Sequence, residues 1–259
     1  MTKFIVIKRI LRIILLIYIG LGFVLYFFQN SFIYYPDQTD FNNCENFSLA
    51  EKVTFGLTRM YVTNRSTDKA IVFYHGNAGR ACDRDYLDSI FASRGYSTIF
   101  VEYAGYADTN KKTTYSAVLK NVSDTVDFLK TKKFSEIVVS GESLGNGPAA
   151  YQASISKVDK LILITSYNNF SSVVSSHYPI YPIKLLLRNN YTPDIWLANY
   201  HGKVSFILAG NDEVVPNKLG QKLYNNLNTK EKNLTIIQGV GHNTIYESDE
   251  FYSSLLKAL

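Results

Sequence analysis

The hydrophobic pattern divides the chain into two unlike parts. Residues 13–28 form an uncharged, strongly apolar run, IILLIYIGLGFVLYFF, with no polar face. As a helix this run spans about 24 Å. Snorkelling of Arg12 would bring Ile10 and Leu11 into the span and extend it to about 28 Å, close to the thickness of a hydrocarbon core. The pattern therefore predicts a membrane-spanning helix through residues 10–28 rather than a helix buried in a globular core.

Charges and aromatic residues flank this run asymmetrically. Four basic residues and no acidic one precede it: Lys3, Lys8, Arg9 and Arg12. Six aromatic residues cluster at its far end: Tyr26, Phe27, Phe28, Phe32, Tyr34 and Tyr35. Because cations favour the cytoplasmic side and aromatic rings the interface, we expect a cytoplasmic N-terminus and the remaining residues on the opposite side. A cleaved signal peptide also has basic residues followed by an apolar run. No A-x-A-like cleavage site follows Phe28, however, so we expect an uncleaved anchor.

After a polar linker at residues 38–46, short β-rich runs alternate with helical stretches. The predicted strands are residues 70–74, 97–102, 136–140, 161–165, 204–208 and 234–238. The predicted helices are residues 83–94, 114–130, 144–155, 217–227 and 248–259. Several strands are apolar on both faces, as in a parallel sheet that helices cover on both sides. The alternation predicts an α/β fold with a mostly parallel central sheet and right-handed crossovers.

Two segments depart from this alternation. Residues 48–63 predict an antiparallel pair of strands at the edge of the sheet. Residues 168–200 are aromatic and contain three prolines, which predicts a short insertion that caps the strand ends and could carry specificity. We see no internal repeat and expect two parts, an anchor with its juxtamembrane segment at residues 1–35 and one domain at residues 36–259.

The charge of the chain argues against a nucleic-acid partner. The 259 residues carry a formal net charge of +5, with 46% hydrophobic and 19% charged residues, a globular composition. Without the four N-terminal cations, 23 basic residues face 22 acidic ones. The basic excess therefore belongs to the anchor, and we expect the bilayer as a partner and no nucleic acid.

One motif indicates nucleophilic catalysis. Residues 141–145, Gly-Glu-Ser-Leu-Gly, fit G-x-S-x-G, directly follow a predicted strand and precede a helix of small residues. This is the setting of a nucleophile elbow, in which Ser143 would lie in a strained turn at the carboxyl edge of the sheet. Gly141 and Gly145 would be required because a side chain at either position would collide with neighbouring backbone.

A serine nucleophile needs a base and an acid that orients the base. His242 follows the last predicted strand, which places it at the same edge as Ser143. Asp212 follows the strand at residues 204–208, and Glu213 is the nearest substitute acid. The chain order Ser143, Asp212, His242 is the order of the α/β-hydrolase architecture. The other two candidates, His177 and His201, we expect at the surface or at helix caps.

The oxyanion of the reaction needs two backbone donors. The N–H of Leu144, next to the nucleophile, is the first. The second should come from the loop after an early strand, HGNAG at residues 75–79, where we expect Asn77, with Ala78 as the alternative. His75 and Gly76 would hold this loop in shape rather than act on substrate.

With these residues identified, the chain resembles the α/β-hydrolase-fold serine hydrolases, specifically their single-pass membrane-anchored abhydrolase-domain branch. The matching segments occur in the family's order over nearly the whole chain: FFQNSFIYYP, FYHGNAG, VEYAGYADT, GESLGNGPAA, ITSYNNFSSV, NDEVVP and GVGHN. The resemblance implies a Ser–His–Asp triad that acts on acyl compounds without a cofactor. We therefore expect a membrane-anchored enzyme that cleaves acyl esters or thioesters of small or lipid-like substrates. A peptidase or amidase with the same triad, or a non-catalytic tethered binding protein, are the alternatives.

The chain departs from the family's pattern at two places. The segment that usually reads D-Y-R-G-Y-G is E-Y-A-G-Y-A at residues 102–107, which lacks the Arg and one Gly. Ala209 stands where a Gly usually precedes the acid by three residues. The first departure weakens any inference about substrate contacts near residues 103–108, and neither removes a catalytic group.

The two cysteines and the histidines show no metal-site spacing, so we expect no metal. Cys44 and Cys82 could pair on an oxidising side of the membrane, which would tie the linker to the helix after the predicted oxyanion loop. The absence of disulfide density around either cysteine favours two unpaired thiols.

Overall fold

The computed structural model describes residues 2–66, 68–107 and 111–259. The helices are α1 (Thr2–Phe27), α2 (Gln29–Ile33), α3 (Tyr86–Ser93), α4 (Tyr115–Lys130), α5 (Asn146–Ile155), α6 (Phe170–His177), α7 (Ile183–Leu186), α8 (Pro193–Trp196), α9 (Asn217–Asn226) and α10 (Asp249–Ala258). The strands are β1 (Tyr35–Pro36), β2 (Glu51–Phe55), β3 (Thr58–Thr63), β4 (Lys69–Tyr74), β5 (Ala78–Gly79), β6 (Ser97–Glu102), β7 (Glu136–Glu142), β8 (Lys160–Ile164), β9 (Lys203–Ala209) and β10 (Lys232–Ile237).

Eight strands form the central sheet, in the order β10-β9-β8-β7-β4-β6-β3-β2. All pairs from β10 to β6 are parallel, and β3 and β2 join antiparallel at one edge, as the pattern at residues 48–63 predicts. Side chains from both faces of β4, β6 and β7 are buried, because α4, α5 and α9 cover one face and α3 and α10 the other. The predicted α/β class and mostly parallel sheet are confirmed, and β7 lies at the centre of the sheet.

One predicted helix is interrupted. Residues 83–94 are predicted as one helix, whereas the chain forms a 3₁₀ turn at Ala81–Arg84 and then α3. A side-chain contact explains the turn, because the Asp83 carboxylate accepts a hydrogen bond from the backbone N–H of Arg80 at 2.9 Å. The turn carries Cys82 and Arg84 into the protein, and both make long-range contacts.

The prediction of two unpaired thiols is wrong. Cys44 and Cys82 form a disulfide, with their Cα atoms 5.9 Å apart. Both are buried beside Phe41 and Phe47, so the predicted linker at residues 38–46 packs on the core instead of remaining a free polar segment. The fold brings together two cysteines that are 38 positions apart in the chain, and their spacing alone carries no sign of this contact.

Residues 168–200, which are predicted as an insertion, lie between β8 and β9 and contain α6, α7 and α8. They lie beside α1, and α7 contacts that helix. Among the described residues, one helix is long and apolar enough to cross a membrane, Lys3–Phe27, with a mean hydropathy of 2.4. A two-stranded parallel pair, β1 with β5, joins the segment after this helix to the loop at residues 75–79.

Candidate active site

Ser143 lies at the carboxyl end of β7, in the sharp turn that the motif predicts. Its φ angle of +49° is in the left-handed region, which a non-glycine residue adopts only when the surrounding structure enforces it. The enforcement comes from close backbone packing. A Cβ atom on Gly141 would collide with the carbonyl of Gly145, and one on Gly145 would collide with the carbonyl of Tyr74. The turn therefore needs both glycines.

Three side chains from distant parts of the chain meet at this turn. His242 Nε2 lies 2.9 Å from Ser143 Oγ, and His242 Nδ1 lies 2.8 Å from Asp212 Oδ2. The Asp212 side chain is 1% exposed, and its Oδ1 accepts hydrogen bonds from the backbone N–H groups of Val214 and Val215 at 3.0 and 2.6 Å. Because the carboxylate is fixed from its other side, it can hold the imidazole in one orientation towards Ser143.

The neighbouring acid has a different partner. Glu213 Oε2 accepts a hydrogen bond from the backbone N–H of His242 at 3.2 Å and supports the loop rather than the ring. Hydrogen bonds from its own backbone N–H and from that of His242 lower the pKa of Glu213. Asp212, not Glu213, is thus the acid in contact with the imidazole.

The loop at residues 75–79 lies against the serine turn. Asn77 and Leu144 line one cavity together with Ser143, whereas Ala78 pairs with Tyr35 in the two-stranded sheet. The Asn77 carbonyl accepts hydrogen bonds from the Tyr35 N–H at 2.9 Å and the Tyr106 hydroxyl at 2.7 Å. The segment that follows α1 therefore helps to fix the backbone of Asn77.

His75 is fully buried and does not line this cavity. Its Nδ1 lies 2.8 Å from the Gly76 carbonyl, and its Nε2 lies 3.3 Å from Glu102 Oε1. The hydroxyl of Tyr103 donates to the His75 carbonyl at 2.8 Å. These contacts place His75 among the residues that shape the loop. Asp108 and Thr109, the last two residues of the matching segment VEYAGYADT, lie outside the described residues.

Sequence reasoning missed the role of Glu142, the residue before Ser143. Its buried carboxylate accepts hydrogen bonds from Arg84 Nε at 2.7 Å, the Gly76 N–H at 2.9 Å and the Tyr246 hydroxyl at 2.6 Å. Burial by itself raises the pKa of Glu142, but Arg84, Tyr246 and Gly76 outweigh it, so the net pKa lies below the ordinary range. The position of Glu142 in the sequence could have indicated this role, because the end of a central strand is buried and a carboxylate there needs hydrogen-bonding partners.

A cavity of about 320 Å³ opens above Ser143. Its walls come from α2, the last turns of α1, and the insertion, and they are largely apolar: Leu25, Phe32, Ile33, Phe170, Val173, Ile183, Leu186, Leu187 and Val215. None of the described residues that line it is Asp, Glu, Lys or Arg. This volume is at the lower end of the range of about 300–1,000 Å³ that small-molecule sites occupy.

The other two histidines are exposed, as expected. His177 lies at the end of α6 with Nε2 2.7 Å from the Val214 carbonyl, and it contributes to the cavity wall. His201 lies away from that cavity, next to Gly202. Among the described residues, no cluster of His, Cys, Asp and Glu could hold a metal ion.

Two sequence relatives are informative, although no family model matches the chain. An uncharacterized protein of Mycobacterium tuberculosis is 26% identical over 184 residues, which cover 70% of this chain and 65% of that protein. The lysophosphatidylserine lipase ABHD12 of Xenopus tropicalis is 29% identical over 188 residues, which cover 62% of this chain and 47% of that protein. The chain thus spans less than two thirds of the length of either relative.

Solved structures resemble most of the chain. The esterase Pf2001 of Pyrococcus furiosus superposes with a TM-score of 0.68 at 16% identity, over 88% of this chain and 97% of that one. The monoacylglycerol lipase of Paleococcus ferrophilus superposes with a TM-score of 0.57 at 13% identity, over 76% and 97% of the two chains. The architecture that these proteins share with the chain is the α/β-hydrolase fold, in agreement with the resemblance of the motifs.

Proposed function

From the α/β-hydrolase fold that this chain shares with esterases and lipases, we propose that it is a membrane-anchored serine hydrolase that cleaves acyl esters or thioesters. The observation that carries the proposal is the continuous contact from Asp212 through His242 to Ser143, with distances of 2.8 and 2.9 Å. A hydroxyl so close to an oriented imidazole can lose its proton as it attacks a carbonyl carbon.

The reaction proceeds by acyl transfer to Ser143 and then to water. His242 Nε2 takes the Ser143 proton while Oγ bonds to the carbonyl carbon, and it returns that proton to the leaving alcohol or thiol. Asp212 holds the imidazole tautomer and stabilises the imidazolium. In the second half, a water molecule gives its proton to His242 and attacks the acyl-enzyme, which releases the acid and restores the serine.

The backbone N–H groups of Asn77 and Leu144 donate to the negatively charged oxygen that forms in each half-reaction. Both residues line the same cavity as Ser143, which supports this assignment. Removal of one oxyanion donor, a side-chain amide, raises the barrier by about 3–4 kcal/mol in a well-studied protease. The contacts that Tyr35 and Tyr106 make with the Asn77 carbonyl hold the loop in place.

The cavity favours an acyl group over a peptide. Its apolar walls, free of charged side chains among the described residues, suit a hydrocarbon chain and would leave a charged peptide side chain without partners. The relative from Xenopus tropicalis is named a lipase for a lipid, which points in the same direction. A peptidase or amidase is therefore the second candidate function. Faster turnover of amide than of ester substrates would favour it.

Helix α1 anchors the enzyme, with its four N-terminal cations in the cytoplasm and the catalytic domain on the opposite side. Lys3–Phe27 has the length and hydropathy of a membrane span. The disulfide between Cys44 and Cys82 supports this topology, because such bonds persist in oxidising compartments and are rare in the cytosol.

Labelling with a fluorophosphonate probe tests the nucleophile. We expect the full-length protein to be labelled at Ser143, and Ser143→Ala to lose the label. Ser154→Ala, on the exposed part of α5, is the matched control and should label like the wild type. Equal labelling of all three proteins would refute the assignment. Rescue of a deletion phenotype by Ser143→Ala would instead favour the non-catalytic binding protein.

A further inference from the structure

The anchor and the insertion are joined by specific contacts inside the apolar run. The rings of Tyr18 and Tyr181 stack with their centroids 4.6 Å apart and their planes 3° from parallel. The Tyr18 hydroxyl donates to the Ile180 carbonyl at 2.8 Å, and the Tyr181 hydroxyl donates to the Tyr18 carbonyl at 3.2 Å. The insertion therefore reaches along α1 to its middle instead of stopping at its end.

A second set of contacts fixes the far end of the same interface. Gln29 is 5% exposed, and its Oε1 accepts hydrogen bonds from the Arg188 N–H, the Asn189 N–H and Asn189 Nδ2. The Arg188 guanidinium donates to the Tyr26 carbonyl and lies 4.9 Å from the centre of that ring. With both ends held, the segment from Tyr181 to Arg188 is fixed against the helix.

These contacts place part of the insertion at the depth of the hydrocarbon core. If Arg12 marks the cytoplasmic edge, Tyr18 lies about 9 Å further along the helix, well inside a core of about 30 Å. Residues 178–187, here called the cap tip, expose Ile180 and Leu185 by 71% and 81%. The one charged residue in the tip, Lys184, has a long side chain that can extend to the headgroups. The tip thus has the composition of a segment that lies within the bilayer.

An apolar groove runs between the cap tip and α1. It has a volume of about 290 Å³ and is lined by Tyr18, Ile19, Gly22, Phe23, Tyr26, Phe27, Tyr181, Pro182 and Leu186. Leu186 also lines the cavity above Ser143. The two spaces therefore share a wall residue, and the groove is open on the side of Phe23 and Phe27, which are 59% and 61% exposed.

We propose that this groove is the lateral access route by which the acyl chain of a bilayer lipid passes from the leaflet to Ser143. At this depth the material around α1 is hydrocarbon, and an apolar groove open to it fills with acyl chain rather than with water. The carbonyl of the same lipid lies nearer the headgroup than its chain, and Ser143 lines the cavity that shares Leu186 with the groove. The inference rests on the proposed function and adds to it the source of the substrate, which is the membrane and not the aqueous phase.

Substitution at two glycines of α1 tests the route in the full-length protein in phosphatidylcholine vesicles. A Cβ on Gly22 would lie 3.5 Å from the Tyr181 ring, so Gly22→Phe fills the groove, whereas Gly20 has no atom within 4 Å and Gly20→Phe is the matched control. We expect Gly22→Phe to lower kcat/KM for a long-chain ester embedded in the vesicles by about tenfold or more. Turnover of water-soluble p-nitrophenyl acetate should stay unchanged, and Gly20→Phe should change neither. An unchanged rate on the embedded ester in Gly22→Phe would overturn the route.

Photocrosslinking gives a readout that does not depend on turnover. Ser143→Ala in vesicles that contain phosphatidylcholine with a diazirine in its acyl chain should form adducts on Leu186 and on residues of the catalytic cavity such as Val173. Adducts confined to the outward surface of α1 would overturn the route. If Gly22→Phe loses both activities, the positions of the adducts decide whether the route exists. Failure of the wild type to label with fluorophosphonate is a different result, because it refutes the hydrolase and not the groove.

Discussion

The Glu142 carboxylate joins the serine turn to the predicted oxyanion loop by accepting the Gly76 N–H at 2.9 Å. The same carboxylate holds Tyr246, four residues after His242, at 2.6 Å. One buried anion thus contacts the three loops that carry Ser143, Asn77 and His242. Arg84 balances its charge at 2.7 Å, which makes the arrangement an internal ion pair rather than an unpaired buried charge.

Replacement of Glu142 should weaken both stability and catalysis. Glu142→Gln keeps the shape of the side chain but leaves the Arg84 cation without its partner in a mostly buried site. Removal of one member of such a pair costs about 3–5 kcal/mol. We expect a lower midpoint of thermal unfolding and a lower kcat for ester hydrolysis, with KM much less affected because Glu142 does not line the cavity.

Glu136→Gln is the control for this prediction. Its carboxylate pairs with Lys160 at 2.9 Å, but both side chains are partly exposed. The substitution should therefore lower the free energy of unfolding by about 1 kcal/mol or less. Equal effects of the two substitutions on unfolding and kcat would show that the Glu142 pair has no special role. The double variant Glu142→Gln/Arg84→Met should recover part of the stability, because it leaves no unpaired cation.

The pKa of Glu142 predicts a pH dependence of stability. The folded-state pKa lies below the ordinary value of 4.5, so the charged form stabilises the fold. This contribution is fully present above about pH 4.5 and is lost as the pH falls through the lower folded-state value. We therefore expect the difference in unfolding free energy between wild type and Glu142→Gln to be constant near neutrality and to shrink below about pH 4.5. A difference that grows on acidification would contradict the depressed pKa.

Local patterns sufficed for most of the fold. The run STIFVE at residues 97–102 matches β6 at both ends, and the other predicted strands differ from the observed ones by one or two residues at either end. Short runs rich in β-branched residues, bounded by turns, carry this information within a few positions. The serine turn could be predicted equally well, because a glycine two positions before and two positions after Ser143 is a steric requirement of the turn itself.

Contacts between distant positions of the chain could not be predicted from the sequence in the same way. Glu142 meets Arg84 and Tyr246 across 58 and 104 positions, and Cys44 meets Cys82 across 38. No periodicity links such residues, since the sheet order decides which loops become neighbours. The pair β1 and β5, which ties the segment after α1 to the loop of Asn77, was not predicted, because strands of two residues are too short to form a pattern.

The two adjacent acids near His242 should differ sharply in their effect on catalysis. Asp212→Asn retains the size of the side chain but favours the wrong imidazole tautomer, and the corresponding change in a serine protease lowers kcat about 10⁴-fold. Glu213→Gln removes a charge one position away but preserves an acceptor for the backbone N–H of His242. We therefore expect kcat to change by less than about tenfold. Pre-steady-state hydrolysis of a chromogenic ester measures both, and a larger loss in Glu213→Gln would reverse the assignment of the acid.

The disulfide should stabilise the domain by limiting the freedom of the unfolded chain. It closes a loop between positions 38 apart, and bonds of this kind contribute about 2–4 kcal/mol. The double variant Cys44→Ala/Cys82→Ala should therefore unfold at a temperature lower by about 2–4 °C for each kcal/mol lost. Thermal unfolding with and without a reductant supplies the control, since the reductant should lower the midpoint of the wild type and leave the double variant unchanged. The same midpoint for both proteins under non-reducing conditions would mean that the two sulfur atoms are not bonded in the protein as purified.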